Sequence, residues 1–103
     1  MNSRKVITIC GSYRFTKRMI EVQKNLTELG YIVLMPAINC DRHNKEWYLN
    51  LHFDKIAISD CIFVVDVGGY IGEHTTEEIK KAKELGKKIL YYSETDWTCN
   101  GLI

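Results

Sequence analysis

Two adjacent acids, Glu77 and Glu78, sit in the stretch GGYIGEHTTEEIKKAKELGKKI (residues 68–89), between an apolar run and a helical pattern. At about 100° per residue, Glu78 falls within roughly 40° of Ala82 and about 20° of Leu85, on the apolar side of that helix. Glu77 lies about 100° away, beside Lys80 and Lys81. A carboxylate on the inner face of a helix's first turn, just past the end of a strand, is the first candidate for a catalytic or ligand-binding role. The competing reading is local: Thr75-Thr76-Glu77-Glu78 fits a capping box in which Thr75 and Glu78 satisfy each other's backbone donors. The two roles are compatible.

A second cluster, Cys10-Gly11-Ser12-Tyr13-Arg14, offers a flexible glycine, a hydroxyl, backbone N–H groups at a helix start and a guanidinium. These are the parts of a phosphate or carboxylate pocket. The alternative is that Ser12 merely caps the following helix and Arg14 is solvated. Neither glycine turn carries GxxxxGK[ST] or GxGxxG, which removes support for ATP hydrolysis and nicotinamide chemistry. His52 is followed closely by Asp54 and Asp60; a lone histidine there is more often a surface or internally satisfied residue. Asp60 reads as a turn residue, and Asp66 ends the apolar run CIFVVDV. Cys10, His52 and His74 lack the paired spacing of zinc sites, so no metal is expected.

The elements that must position these groups follow from periodicity. KVITIC is a strand, followed by a helix through Met19, Ile20, Val22, Leu26 and Leu29 that ends at Gly30. Tyr31 to Met35 reads as a second buried strand closed by Pro36, and residues 37–45 as a polar loop suited to a lid. A helix over residues 46–59 leads to the strand at residue 61. The helix of Ile79, Ala82 and Leu85 stops at Gly86, and KKILYYS forms a fourth strand. The last ten residues hold no element. The βαβαβαβ order implies a small α/β three-layer sandwich, flavodoxin-like or Rossmann-like, with a parallel sheet of four to five strands. In such a sheet the turns at Gly11 and at Gly68-Gly69 meet at the topological switch point.

With 103 residues, a single domain spanning 1–103 is expected. A net charge of +1 from 14 basic and 13 acidic residues gives no footprint for a nucleic-acid polymer or a membrane surface. Four scattered cysteines, Cys10, Cys40, Cys61 and Cys99, suit reduced, mostly packed thiols. No apolar stretch approaches the roughly 20 residues that span a bilayer, and a soluble cytoplasmic protein is expected.

The combination of CGSYR, HFDKIAISD and GxxTxxExxxAxxxGK from Gly72 to Lys87 resembles the nucleoside 2-deoxyribosyltransferase superfamily. The CGSYR turn is most similar to that of the 2'-deoxynucleoside 5'-phosphate N-hydrolases. The resemblance runs over nearly the whole chain, although only the two turns are specific. It implies a single nucleoside deoxyribosyltransferase-like domain without cofactor, in which Glu78 attacks the anomeric carbon and forms a glycosyl-enzyme intermediate. Gly11, Ser12, Tyr13 and Arg14 would hold a 5'-phosphate, with Gly69, Gly72 and Thr75 also contacting substrate. Two departures stand out: His52 replaces the aspartate usual near the sugar, and Gly72 replaces an acid of the transferases. That leaves His52, Asp54 and Asp66, in that order, as candidate proton donors to the leaving base.

The leading expectation is thus an N-glycosidase acting on a (deoxy)nucleoside 5'-monophosphate. The alternatives are base exchange between nucleosides, and a nucleotide-binding sensor without turnover. Relatives commonly complete the pocket from a partner subunit, so a homodimer or higher homo-oligomer is expected. Tyr13, Trp47, Tyr48 and Tyr70 are candidates for stacking on the base, against the plainer reading that they fill core or dimer contacts.

Overall fold

A computed structural model describes residues 4–94, so Cys99 and the final segment lie outside the described residues. The strands β1 (Val6–Gly11), β2 (Ile32–Leu34), β3 (Cys61–Val65) and β4 (Lys88–Tyr91) alternate with the helices α1 (Thr16–Glu28), α2 (Lys45–Ala57) and α3 (Glu73–Glu84). All strand pairs are parallel, in the order β2-β1-β3-β4.

The two apolar runs KVITIC and CIFVV take the central places, where both faces of a strand are covered. Side-chain alternation then sorts their residues. Ile7, Ile9, Cys61, Phe63 and Val65 pack with Met19, Val22 and Leu26 of α1. On the opposite face, Cys10, Ile62 and Val64 pack with Ile56 of α2 and with Ile79 and Ala82 of α3. Each large aliphatic or aromatic side chain among them contributes roughly 1.5–3 kcal/mol on full burial, so these two layers fix where the strand ends point.

Three expectations need correction. The segment read as a second buried strand is a three-residue edge strand, with Ile32 47% exposed, because no strand pairs on its outer side. Leu85 is not on the buried face of α3; it is the C-cap residue and is exposed. The capping box does not form either. Helix α3 starts earlier than expected, with Gly72 at the N-cap, which places Thr75 inside the first turn and Glu78 in the second. That register sets Thr75, Glu78, Ile79 and Ala82 on one buried stripe. At the other end, Gly86 adopts φ +69° and the Lys87 N–H donates to the Ala82 carbonyl at 2.9 Å, closing the helix as its glycine suggested.

β1 leads through α1 outward to β2, while β3 leads through α3 outward to β4. The chain therefore parts above the carboxyl ends of β1 and β3, which opens a crevice there.

Candidate active site

A cleft of about 550 Å³ occupies that crevice. Its floor is the turn after β1. Gly11 is required by space: a Cβ there would stand 3.2 Å from both Met19 Sδ and the Val65 carbonyl oxygen. Ser12 caps the short 3-10 turn Tyr13–Phe15, its Oγ accepting from the Arg14 N–H at 3.3 Å. The Tyr13 hydroxyl donates to the Ala37 carbonyl at 2.8 Å and so pins residues 37–44, the polar loop, as the opposite wall. Within that wall His43 stacks on Trp47 with ring centroids 3.7 Å apart, and the His43 N–H donates to the Tyr48 hydroxyl.

The turn after β3 supplies the other side. Gly68 and Gly69 both take positive φ, 65° and 84°, a conformation other residues adopt at a steric cost. Gly72 reaches the cleft, and a Cβ placed on it would lie at ordinary contact distance, 3.9 Å, from Ser12 Cβ. The two glycine turns thus touch across the site.

Glu78 projects from α3 into the cleft and is only 8% exposed. His52, from α2, is 3% exposed and aims Nε2 at two groups: Cys10 Sγ at 3.4 Å and Glu78 Oε1 at 3.9 Å. Burial dominates their chemistry. The Glu78 carboxyl is pushed up to about 8 by desolvation, partly offset by a hydrogen bond with the Cys10 thiol. His52 is pushed down to about 4, first by burial and then by the Lys55 ammonium. Its Nδ1 has no well-formed hydrogen bond, although the Ile9 carbonyl is near enough to favour the protonated ring slightly. The Cys10 thiol is raised well above its ordinary value by burial and by Glu78. Near neutral pH the cluster is an uncharged trio.

Of the residues singled out from sequence, the cleft gathers Gly11, Ser12, Tyr13, His52, Gly72, Thr75 and Glu78. Four stand apart. Asp54 is on the exposed side of α2, outside the cleft. Asp66 is buried, but both carboxylate oxygens are taken: it accepts from the Ser93 N–H at 2.8 Å and from the Ser93 hydroxyl at 2.7 Å, which makes it a tie between β3 and the segment after β4. Arg14 rests its guanidinium over the Tyr70 ring, 3.8 Å from the centroid, so Tyr70 rather than Arg14 faces the cleft. Gly69 shapes the turn without lining the cavity.

Residues 8–91 match the family described as Domain of unknown function (DUF4406). The chain belongs to the DUF4406 family. No curated protein matches it. Among solved structures, this DUF4406 chain is similar to the 2-deoxyribosyltransferase of the psychrotolerant bacterium Bacillus psychrosaccharolyticus, with a TM-score of 0.64 and 19% identity over 84% of this chain and 70% of that one. It is also similar to the 2-desoxiribosyltransferase from Leishmania mexicana, with a TM-score of 0.66 and 22% identity over 85% of this chain and 63% of that one. At such identities the likeness is one of fold.

Sequence reasoning read Cys10 in the DUF4406 chain as a packed thiol and missed its contact with His52. Strand alternation carries the signal: Cys10 points away from Ile7 and Ile9, toward the face that α2 and α3 cover. Tyr48 is a candidate from sequence for facing a ligand, but its hydrogen bond with the His43 N–H has no sequence signal, since it depends on how residues 37–44 fold back. Among the described residues no helix is long and apolar enough to cross a membrane.

Proposed function

We propose that this DUF4406 protein is an N-glycosidase that cleaves the base–sugar bond of a (deoxy)nucleoside 5'-monophosphate with Glu78 as nucleophile. One observation carries the reading: an acid buried to 8% exposure still lines the cleft at the switch point of a fold shared with 2-deoxyribosyltransferases. A structural role would not require a costly buried carboxyl at the mouth of a cavity.

In this reading the ionised Glu78 oxygen forms a bond to the anomeric carbon as the carbon–nitrogen bond breaks, and the base leaves with the electron pair. Positive charge developing on the sugar stabilises the ill-solvated carboxylate at the moment of reaction. Because His52 is uncharged near neutral pH, it serves to position Glu78, and the base takes its proton from water in the open cleft. Water then attacks the glycosyl ester, which returns the carboxylate and frees the sugar phosphate. The 5'-phosphate rests on the Ser12 turn, with Arg14 swung from Tyr70 onto it.

The test is release of free base from a panel of deoxynucleoside monophosphates, followed by chromatography. Wild-type protein should release base, Glu78→Gln should not, and mass spectrometry of quenched wild-type protein should find the sugar phosphate on Glu78. An unchanged rate in Glu78→Gln refutes the reading. Arg14→Ala should raise KM for the monophosphate more than it lowers kcat. The second reading, base exchange, is favoured by the two structural neighbours, which are 2-deoxyribosyltransferases. It requires a new nucleoside to appear when an acceptor base is added, with no preference for the 5'-phosphate.

A further inference from the structure

We propose that Cys10, His52 and Glu78 form a binding site for one dication of the zinc class. Their donor atoms all lie within 4.8 Å of one another, with Sγ 3.4 Å from Nε2 and Nε2 3.9 Å from Oε1. Ligands bound to a tetrahedral ion at about 2.3 Å for sulfur and about 2.0–2.2 Å for nitrogen and oxygen sit roughly 3.3–3.6 Å apart. The sulfur–nitrogen spacing is already there, and the carboxylate oxygen must close on Nε2 by roughly half an ångström from 3.9 Å.

The three ligands come from β1, α2 and α3, so the packing of two helices on the sheet sets the geometry. That origin explains why the sequence shows no metal spacing. All three side chains are buried, which protects the ligands from competing water. Charge selects the ion. A thiolate and a carboxylate bring two negative charges, the imidazole brings none, and a dication cancels them in a place where a net charge is expensive. The mixed sulfur, nitrogen and oxygen set suits zinc and its neighbours, whereas calcium and magnesium prefer oxygen alone. Three protein ligands leave one tetrahedral position, and because His52 and Glu78 both line the cleft, solvent or a small ligand supplies the fourth donor.

One consequence rests on the glycosidase reading: a cation on Glu78 neutralises the carboxylate that attacks the sugar, so metal binding and base release exclude each other. The binding itself does not depend on that reading.

The experiment adds Co²⁺ to chelator-treated protein in the absence of nucleotide. Wild-type protein should take up one equivalent, show a thiolate-to-cobalt charge-transfer band with the intense visible bands of a tetrahedral ion, and lose both when Zn²⁺ is added. Cys10→Ser should lose the charge-transfer band, while Cys40→Ser, which alters the exposed cysteine of the cleft wall, should keep it. Glu78→Gln should weaken Co²⁺ binding at least tenfold and covers the case in which Cys10→Ser fails to fold, as judged by circular dichroism. Absence of a charge-transfer band in wild type, its survival in a folded Cys10→Ser, its loss in Cys40→Ser, or an undiminished affinity in Glu78→Gln overturns the proposal. Since no substrate is present, none of these outcomes bears on whether the protein releases bases.

Discussion

His52 Nε2 faces Glu78 Oε1 at 3.9 Å, yet the two do not form an ion pair near neutral pH. Burial holds the imidazole down to about 4 and the carboxyl up to about 8, so in the metal-free cleft a neutral ring stands beside a neutral acid. The pair stores reactivity rather than stability, because the charged form of either partner is opposed by its surroundings.

That arrangement has a definite pH signature in metal-free protein. Glu78 has its folded value raised from 4.5 to about 8, so its stabilising share is complete below about 4.5 and is lost as pH rises through about 8. His52 has its folded value lowered from 6.5 to about 4, so its share is complete above about 6.5 and is lost as pH falls through about 4. Urea midpoints should therefore decline from pH 6.5 to 8, with Glu78→Gln removing that decline. If Glu78→Gln leaves the decline intact, the group responsible is another. For base release, kcat/KM should climb with pH toward about 8 as the attacking carboxylate ionises.

Gly11→Ala should destabilise the chain by about 1–3 kcal/mol, the usual cost of overpacking. Methionine sulfur can yield to the new methyl group, but the Val65 carbonyl 3.2 Å away is strand backbone and cannot. Denaturant unfolding at fixed pH checks this, and a change within about 0.5 kcal/mol would mean that the turn relaxes freely.

Asp66 and Asp54 should separate cleanly. Asp66→Ala strands the Ser93 donors and should cost about 1–3 kcal/mol. Asp54→Ala, at an exposed position away from the cleft, should stay within about 0.5 kcal/mol and leave base release unaltered. A large loss of activity with unchanged stability in Asp54→Ala would restore Asp54 as a proton donor.

The inward direction of Glu78 was legible because a helical step of about 100° decides which of two neighbouring acids meets the sheet. The central strands were legible for a similar reason: continuous β-branched runs only suit strands covered on both faces. The start of α3 was misread, since Thr75 and Glu78 have capping-box spacing while the glycine that does begin the helix carries no side-chain signal. Asp66 depends on a partner 27 residues away, and the Cys10–His52 contact joins a strand to a helix 42 residues on. Long-range pairings of that kind leave no mark in local periodicity. Arg14 was assigned to the anion turn from its place in CGSYR, but a neighbouring aromatic ring, Tyr70, holds its guanidinium outside the cleft lining.

The hydrogen bond from Tyr13 to Ala37 joins the turn that would grip one end of a ligand to the wall that would face the other. Work done in adjusting one side is therefore felt on the far side. Fragments of a ligand, one carrying the anion and one the ring, will change each other's affinity when both are bound. The loss of that single hydroxyl in Tyr13→Phe should weaken this coupling, as measured by titrating one fragment with and without the other present.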